Sequence, residues 1–301
     1  MCFYIYRSSQ KTRNTQKKSF NNKTKTIFRD FCAFSENTYH YSPDLSFLFQ
    51  SIAVILLSFE VMWIICMKEW RQFFSSLTGY IAIIIFLLLM GLFLFVFPDS
   101  SILNFGYASL DNFFSLAPYI MLFLVPTITM RSIADEYKSG TFEILKTLPI
   151  SPAKLVWGKY FGCLLVVAIA LIPTIIYAFS IQQLSSKGGI DIGSTAGSYL
   201  GLFMLGTVYT AVGICTSSFT NNTVVAFILA AFVCFLLYSG FTAVSKLPVF
   251  NSGPDYYIQM LGIDFHYRSI SRGVIDTRDI LYFLAMIFLF LLITERNLAR
   301  R

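Results

Sequence analysis

Six long apolar runs constrain this chain more than any other feature. A helix crossing a bilayer needs about 20 predominantly apolar residues. Windows at about 79–97 (GYIAIIIFLLLMGLFLFVF), 113–131, 159–180, 198–219, 223–244 and 279–294 meet that length. Polar or turn-rich segments separate them, down to a minimal Thr220-Asn221-Asn222 between the fourth and fifth. The runs are continuous and lack the period-two alternation of a membrane β-barrel. They predict an all-α integral membrane protein with six transmembrane helices. Composition agrees: 56% of residues are hydrophobic and 13% charged, where soluble domains carry about 25% charge.

The net charge of +7 would suggest a nucleic-acid partner in a soluble protein. In a membrane protein it is first a question of topology. With residues 131–159 in the cytoplasm, ten Lys/Arg lie inside: Lys68, Arg71, Arg131, Lys138, Lys146, Lys154, Lys159, Arg296, Arg300 and Arg301. Five lie outside: Lys187, Lys246, Arg268, Arg272 and Arg278. The asymmetry follows the positive-inside rule and needs no nucleic acid. It puts both ends of the 62–301 region in the cytoplasm.

A seventh window, 45–66, is long enough to span but contains Glu60. It would push outside a segment, 1–44, that carries eight Lys/Arg, against the rule. Three readings of residues 1–61 stand: an upstream extension outside the mature protein, a signal segment, or a cytoplasmic tail with an interfacial anchor. The charge test favours the first, a non-native or disordered extension preceding a 62–301 transmembrane domain. Residues 62–78 read as an amphipathic helix on the cytoplasmic surface. Trp63, Cys66, Met67, Trp70, Phe73, Phe74 and Leu77 form its apolar face. Lys68, Glu69, Arg71 and Gln72 fall opposite, and Thr78-Gly79 offers a turn into the first span.

Residues 131–160, RSIADEYKSGTFEILKTLPISPAKLVWGKY, are the most informative stretch. Arg131–Lys138 continue the second span, and Ser139-Gly140 breaks it. Thr141 is expected to cap a short helix with Glu143 in its first turn. Leu148-Pro149 ends that helix, and Ser151-Pro152 starts the next. Phe142, Ile144, Leu145 and Leu148 form an apolar stripe that needs cover.

Glu136, Gly140-Thr141, Glu143, Leu145, Pro149, Ser151 and Gly158-Lys159 resemble the loop E-x3-G-T-x-E-x-L-x3-P-x-S-x6-GK of ABC-2 type transporter permeases. Residues 265–283, FHYRSISRGVIDTRDILYF, resemble the segment those permeases carry before the last span. Within that family the chain is most similar to the permease subunit associated with bacterial gliding motility. The resemblance covers about 62–301. It implies the ABC-2 permease fold and an export function linked to gliding motility or secretion. A separate ABC ATPase subunit would dock on the 131–158 loop, with Thr141–Leu148 as the coupling helix and Glu136 beside it. ATP and Mg would be bound by that ATPase, with no cofactor in this chain. The permease would pair with a second copy or a related membrane subunit, and an auxiliary extracytoplasmic protein is a further candidate partner. Export of a cofactor or metal for respiratory enzyme maturation, and a non-transporting scaffold, are the alternatives.

The chain has no G-x-x-x-x-G-K-[ST], G-x-S-x-G or H-E-x-x-H, so no motif argues for catalysis in this polypeptide. Its six cysteines are scattered without metal-ligand spacing and read as small buried hydrophobes. Gly197, Gly201, Gly206 and Gly213 form a small-residue stripe on the fourth span, the signature of close helix packing. Pro118, Pro126 and Pro173 are expected to kink the second and third spans. In the outer segment 245–278, His266 reads as hydrogen-bonded or interfacial rather than as a ligand. Arg268, Arg272 and Arg278 of the same extracytoplasmic segment, which also holds Gly273, read equally as contacts to head groups or an outer partner and as solvated charges.

Overall fold

The computed structural model describes residues 60–97, 110–147, 151–184, 191–247, 255–273 and 276–300. All belong to one compact unit, Glu60–Arg301. The proposed extension at 1–61 lies outside the described residues except for its last two positions. No strand occurs among the described residues.

Helix α1 covers residues 60–74, and Ser75-Ser76 turn the chain into α2, Leu77–Phe95. The turn falls just before Thr78-Gly79, and Gly79 makes it possible: a Cβ there would lie 2.6 Å from the Phe73 carbonyl oxygen. Then follow α3 (Asp111–Thr129), α4 (Ala134–Lys138) and α5 (Thr141–Lys146). Helix α6 (Pro152–Leu171) continues through a 3-10 turn, Ile172–Thr174, into α7 (Ile175–Leu184). Pro173 sits in that turn, where its missing N–H costs the helix least. Helix α8 is Ile192–Phe219, and α9 (Thr223–Phe235) runs through a π-helical turn, Leu236–Gly240, into α10 (Phe241–Ser245). Two short helices, α11 (Asp255–Met260) and α12 (Ile263–Ile270), precede α13 (Thr277–Arg300).

Six of these helical stretches are long and apolar enough to cross a membrane: Leu77–Phe95, Asp111–Lys138, Pro152–Leu184, Ile192–Phe219, Thr223–Ser245 and Thr277–Arg300. Their arrangement inverts the soluble rule that the most apolar element is the most buried. Helix α8 has the lowest mean hydropathy of the six, 1.5 against 2.6 for α2, yet it is the buried axis of the bundle. Lipid favours apolar side chains on the outer helices, whereas the central helix meets protein and can carry small and hydroxyl residues. Several of its buried hydroxyls find partners within the helix. Thr210 Oγ1 donates to the Gly206 carbonyl at 2.7 Å, Thr216 Oγ1 to Gly213 at 2.9 Å and Ser218 Oγ to Cys215 at 2.7 Å.

Glycines let neighbouring helices approach α8. A Cβ at Gly206 would lie 2.9 Å from Met121 Cε of α3 and 3.1 Å from Val167 Cγ1 of α6. One at Gly213 would overlap Thr129 of α3, and one at Gly201 would lie 3.0 Å from Ile270 Cγ2 of α12. Cys66, Cys163, Cys215 and Cys234 are free and buried.

Candidate functional site

The 131–160 stretch gathers at one end of the bundle, here called the loop end. Helix α3 stops at Thr129, the chain turns, and α4 begins under the control of α8. Ser217 Oγ accepts from the N–H groups of Ile133 (3.2 Å) and Ala134 (3.0 Å) and donates to the Met130 carbonyl (3.1 Å). One serine near the end of the central helix therefore caps α4. On α13, Asn297 Nδ2 donates to the Ser218 carbonyl at 2.8 Å.

Between α4 and α5 the chain reverses at Gly140, which has φ +68°, a left-handed conformation that glycine adopts without strain. Gly140 itself is the N-cap of α5. Thr141 is the first helical residue and does not cap, correcting the sequence expectation. Its hydroxyl instead lies 2.9 Å from that of Ser139 and donates to the Glu136 carbonyl at 3.4 Å, bracing the turn. The apolar stripe divides. Phe142 is buried, edge-on to Tyr137 with ring centroids 4.7 Å apart. Leu145 is half-buried, while Ile144 and Glu143 are exposed. Leu148 and Pro149 lie outside the described residues.

Glu136 is buried beneath this turn in a network that joins four segments. Lys159, two turns into α6 and 1% exposed, directs its three ammonium hydrogens at three oxygens. Its Nζ lies 2.8 Å from Glu69 Oε1 of α1 and 3.0 Å from Glu136 Oε1 of α4, and donates to the Ser132 carbonyl. Lys68 Nζ, on the solvent side, adds a contact of 2.6 Å to the same Glu136 oxygen. Two carboxylates and two ammonium groups balance, as buried charges must.

Glu69 corrects the reading of α1. Its apolar positions suggested a face turned away from Glu69, but the structure buries Cys66 and Glu69 and leaves Trp63 52% exposed. The cause is a close crossing with α6. A Cβ at Gly158 would lie 2.9 Å from Ile65 Cβ, and one at Gly162 would lie 2.7 Å from Glu69 Cβ and 3.0 Å from the Cys66 carbonyl oxygen. Two glycines four residues apart let α1 lie on α6 and bring Glu69 to Lys159. The signal that could have found this pair was an isolated lysine in an apolar helix, which wants a partner.

The opposite end is organised around α12. His266 is buried, with Nδ1 2.7 Å from Asp279 Oδ1 of α13 and Nε2 2.9 Å from the Met260 carbonyl oxygen. Its ring stacks on Tyr282 with centroids 4.0 Å apart. Arg268 Nε donates to Asp264 Oδ1 at 2.8 Å, a hydrogen bond that raises the guanidinium pKa above its ordinary value. Gly273 has φ +81° and touches α8 at Gly197, and Arg272 is exposed. Arg278 is also exposed. Replacing His266 by Ala would strand the buried Asp279 carboxylate, at a cost of about 1–3 kcal/mol. Faster limited proteolysis within 255–273 is the expected readout.

Residues 98–294 match the family model described as ABC-2 family transporter protein. No curated protein matches the chain.

Proposed function

The chain belongs to the ABC-2 family of transporter proteins, and on that premise we propose that it is the permease subunit of an ATP-driven exporter. A separate ABC ATPase would drive it through the 131–158 loop. The family makes it a multi-pass membrane component of transport and implies an ABC ATPase as partner. Export direction, the docking loop, an inner-membrane location with the loop end in the cytoplasm, and pairing with a second permease are parts of the proposal. A role in gliding motility or secretion rests on the sequence resemblance.

One observation carries the loop assignment. The α4–α5 turn presents Glu143 and Ile144 outward while its inner side is wired into the bundle. Glu136 reaches α6 and α1 through Lys159, and the start of α4 reaches α8 through Ser217. An ATPase that displaces α5 would move a rigid lever connected to three helices, the kind of discrete rearrangement that transmits a distant chemical step. Glu136 is a positioning residue in this scheme and Glu143 a contact residue.

The two glutamates therefore separate in experiment. Glu143→Ala is expected to weaken co-purification of the cognate ATPase and its stimulation several-fold, with the permease's thermal midpoint unchanged, because Glu143 is exposed. Glu136→Ala is expected to lower the midpoint as well. Full ATPase association and stimulation in Glu143→Ala would remove the loop from the docking surface.

A further inference from the structure

At the loop end, between α1, the start of α2, the end of α3 and α6, lies a cavity of about 210 Å³. Pockets that enclose a drug-sized molecule run to about 300–1,000 Å³, so this one suits a headgroup rather than a whole lipid. Ser76, Thr78, Arg131 and Ser132 give it hydrogen-bonding groups, and Phe73 and Val166 give it apolar wall.

Three features of the cavity favour an anion. The Arg131 guanidinium forms no ion pair among the described residues, and its bond to Ser76 Oγ is long, 3.4 Å. The 19-residue helix α2 starts at the cavity with a cap, Ser76, whose side chain accepts from none of the helix's N–H groups. The Ser76 hydroxyl is occupied by Thr78 Oγ1 at 2.6 Å and the Ser76 carbonyl takes the Gly79 N–H at 3.2 Å, so no side chain caps the positive helix end. Independently, Ser132 Oγ is buried on the cavity wall, where the Cys163 thiol, a weak partner, is its neighbour and no oxygen or nitrogen among the described residues bonds it. The wall's one carboxylate, Glu69, is held by Lys159 at 2.8 Å.

We propose that this cavity binds the phosphate of a phospholipid headgroup, with Arg131 as its charge partner and the Ser132 hydroxyl as a donor. The source of the phosphate follows from position. The cavity lies where α1 turns into the first membrane-crossing helix, hence at the level of a membrane surface. Leu77, Tyr80 and Ile81, neighbours of the lining residues Ser76, Thr78 and Gly79, are exposed and apolar, so acyl chains can lie along α2. A phosphodiester brings one negative charge, which Arg131 matches. The inference concerns binding and stands apart from the direction or cargo of transport.

The test uses the full-length protein in detergent and its thermal midpoint, which a ligand of the folded state raises with concentration. Three probes are compared: dioctanoyl phosphatidylglycerol, dioctanoylglycerol and inorganic phosphate. The phospholipid is expected to raise the midpoint and the other two to leave it unchanged. Arg131→Gln is expected to weaken the half-saturation about tenfold or more, as when a charge-assisted hydrogen bond is lost. Ser132→Ala, which removes a hydroxyl without an internal oxygen or nitrogen partner, is expected to weaken it several-fold. Lys246→Gln, exposed at the opposite end, serves as the unaffected control. An equal response in wild type and Arg131→Gln overturns the proposal, as does an equal response to dioctanoylglycerol. A full shift with inorganic phosphate alone assigns a free-anion site and overturns the lipid assignment. Should Arg131→Gln fail to fold, unchanged half-saturation in Ser132→Ala is decisive against it.

Discussion

Lys159→Met is expected to destabilise the protein by about 3–5 kcal/mol, the cost of leaving buried charges without their partner. Glu69 and Glu136 would face each other across the space now held by the ammonium group, with only Lys68, 48% exposed, left to offset them. A large fall in the thermal midpoint of the detergent-purified protein is the readout. The triple variant Lys159→Met, Glu69→Met, Glu136→Met is expected to recover most of that stability. Apolar side chains of similar volume commonly replace a buried ionic cluster without loss. If the cluster transmits movement, the triple variant stays folded but stimulates its ATPase poorly. Restored stability together with full stimulation would reduce the network to a packing device.

Gly213→Ala is the second large effect. The added methyl would overlap the Thr129 side chain of α3 where α8 is fully buried. Overpacking of this kind costs about 1–3 kcal/mol. The exchanged pair Gly213→Ala, Thr129→Gly puts the methyl group back into the same contact from the other helix. It is expected to recover part of the lost midpoint, limited by the helix propensity of glycine. Absence of any recovery would mean that the two helices shift apart rather than clash locally.

Much of the fold was legible in the sequence because bilayer thickness is a local criterion. A run such as 79–97 announces a crossing helix whatever it packs against, and α2 covers Leu77–Phe95. The break at Ser139-Gly140 was legible too, since glycine before a new helical pattern marks a reversal. The cap was not. Thr141 and Gly140 both suit an N-cap by composition, and the left-handed backbone at Gly140 decides between them. The π turn at Leu236–Gly240 ends on Ser239-Gly240, a pair that marks a local irregularity without saying which kind of turn it makes.

The candidate site divides along the same line. Glu136 and Glu143 were readable as members of a spaced motif, but nothing in that spacing says that one is buried and the other exposed. Glu69 was assigned to the polar side of α1 because the apolar residues recur every three and four positions and Glu69 falls opposite them. Its burial depends on Gly158 and Gly162, about 90 residues later, which admit the helix closely enough for Lys159 to reach it.

The crossing helices, the loop and the residue types at each end could be read along the chain, because hydrocarbon thickness, helix periodicity and turn chemistry act over a few residues. Packing alone selected the buried face of α1, the two glutamates that Lys159 neutralises and the serine of α8 that caps α4. Those choices depend on how closely two backbones can approach. They also depend on whether a buried charge finds its counter-charge, and both are properties of helices far apart in the chain.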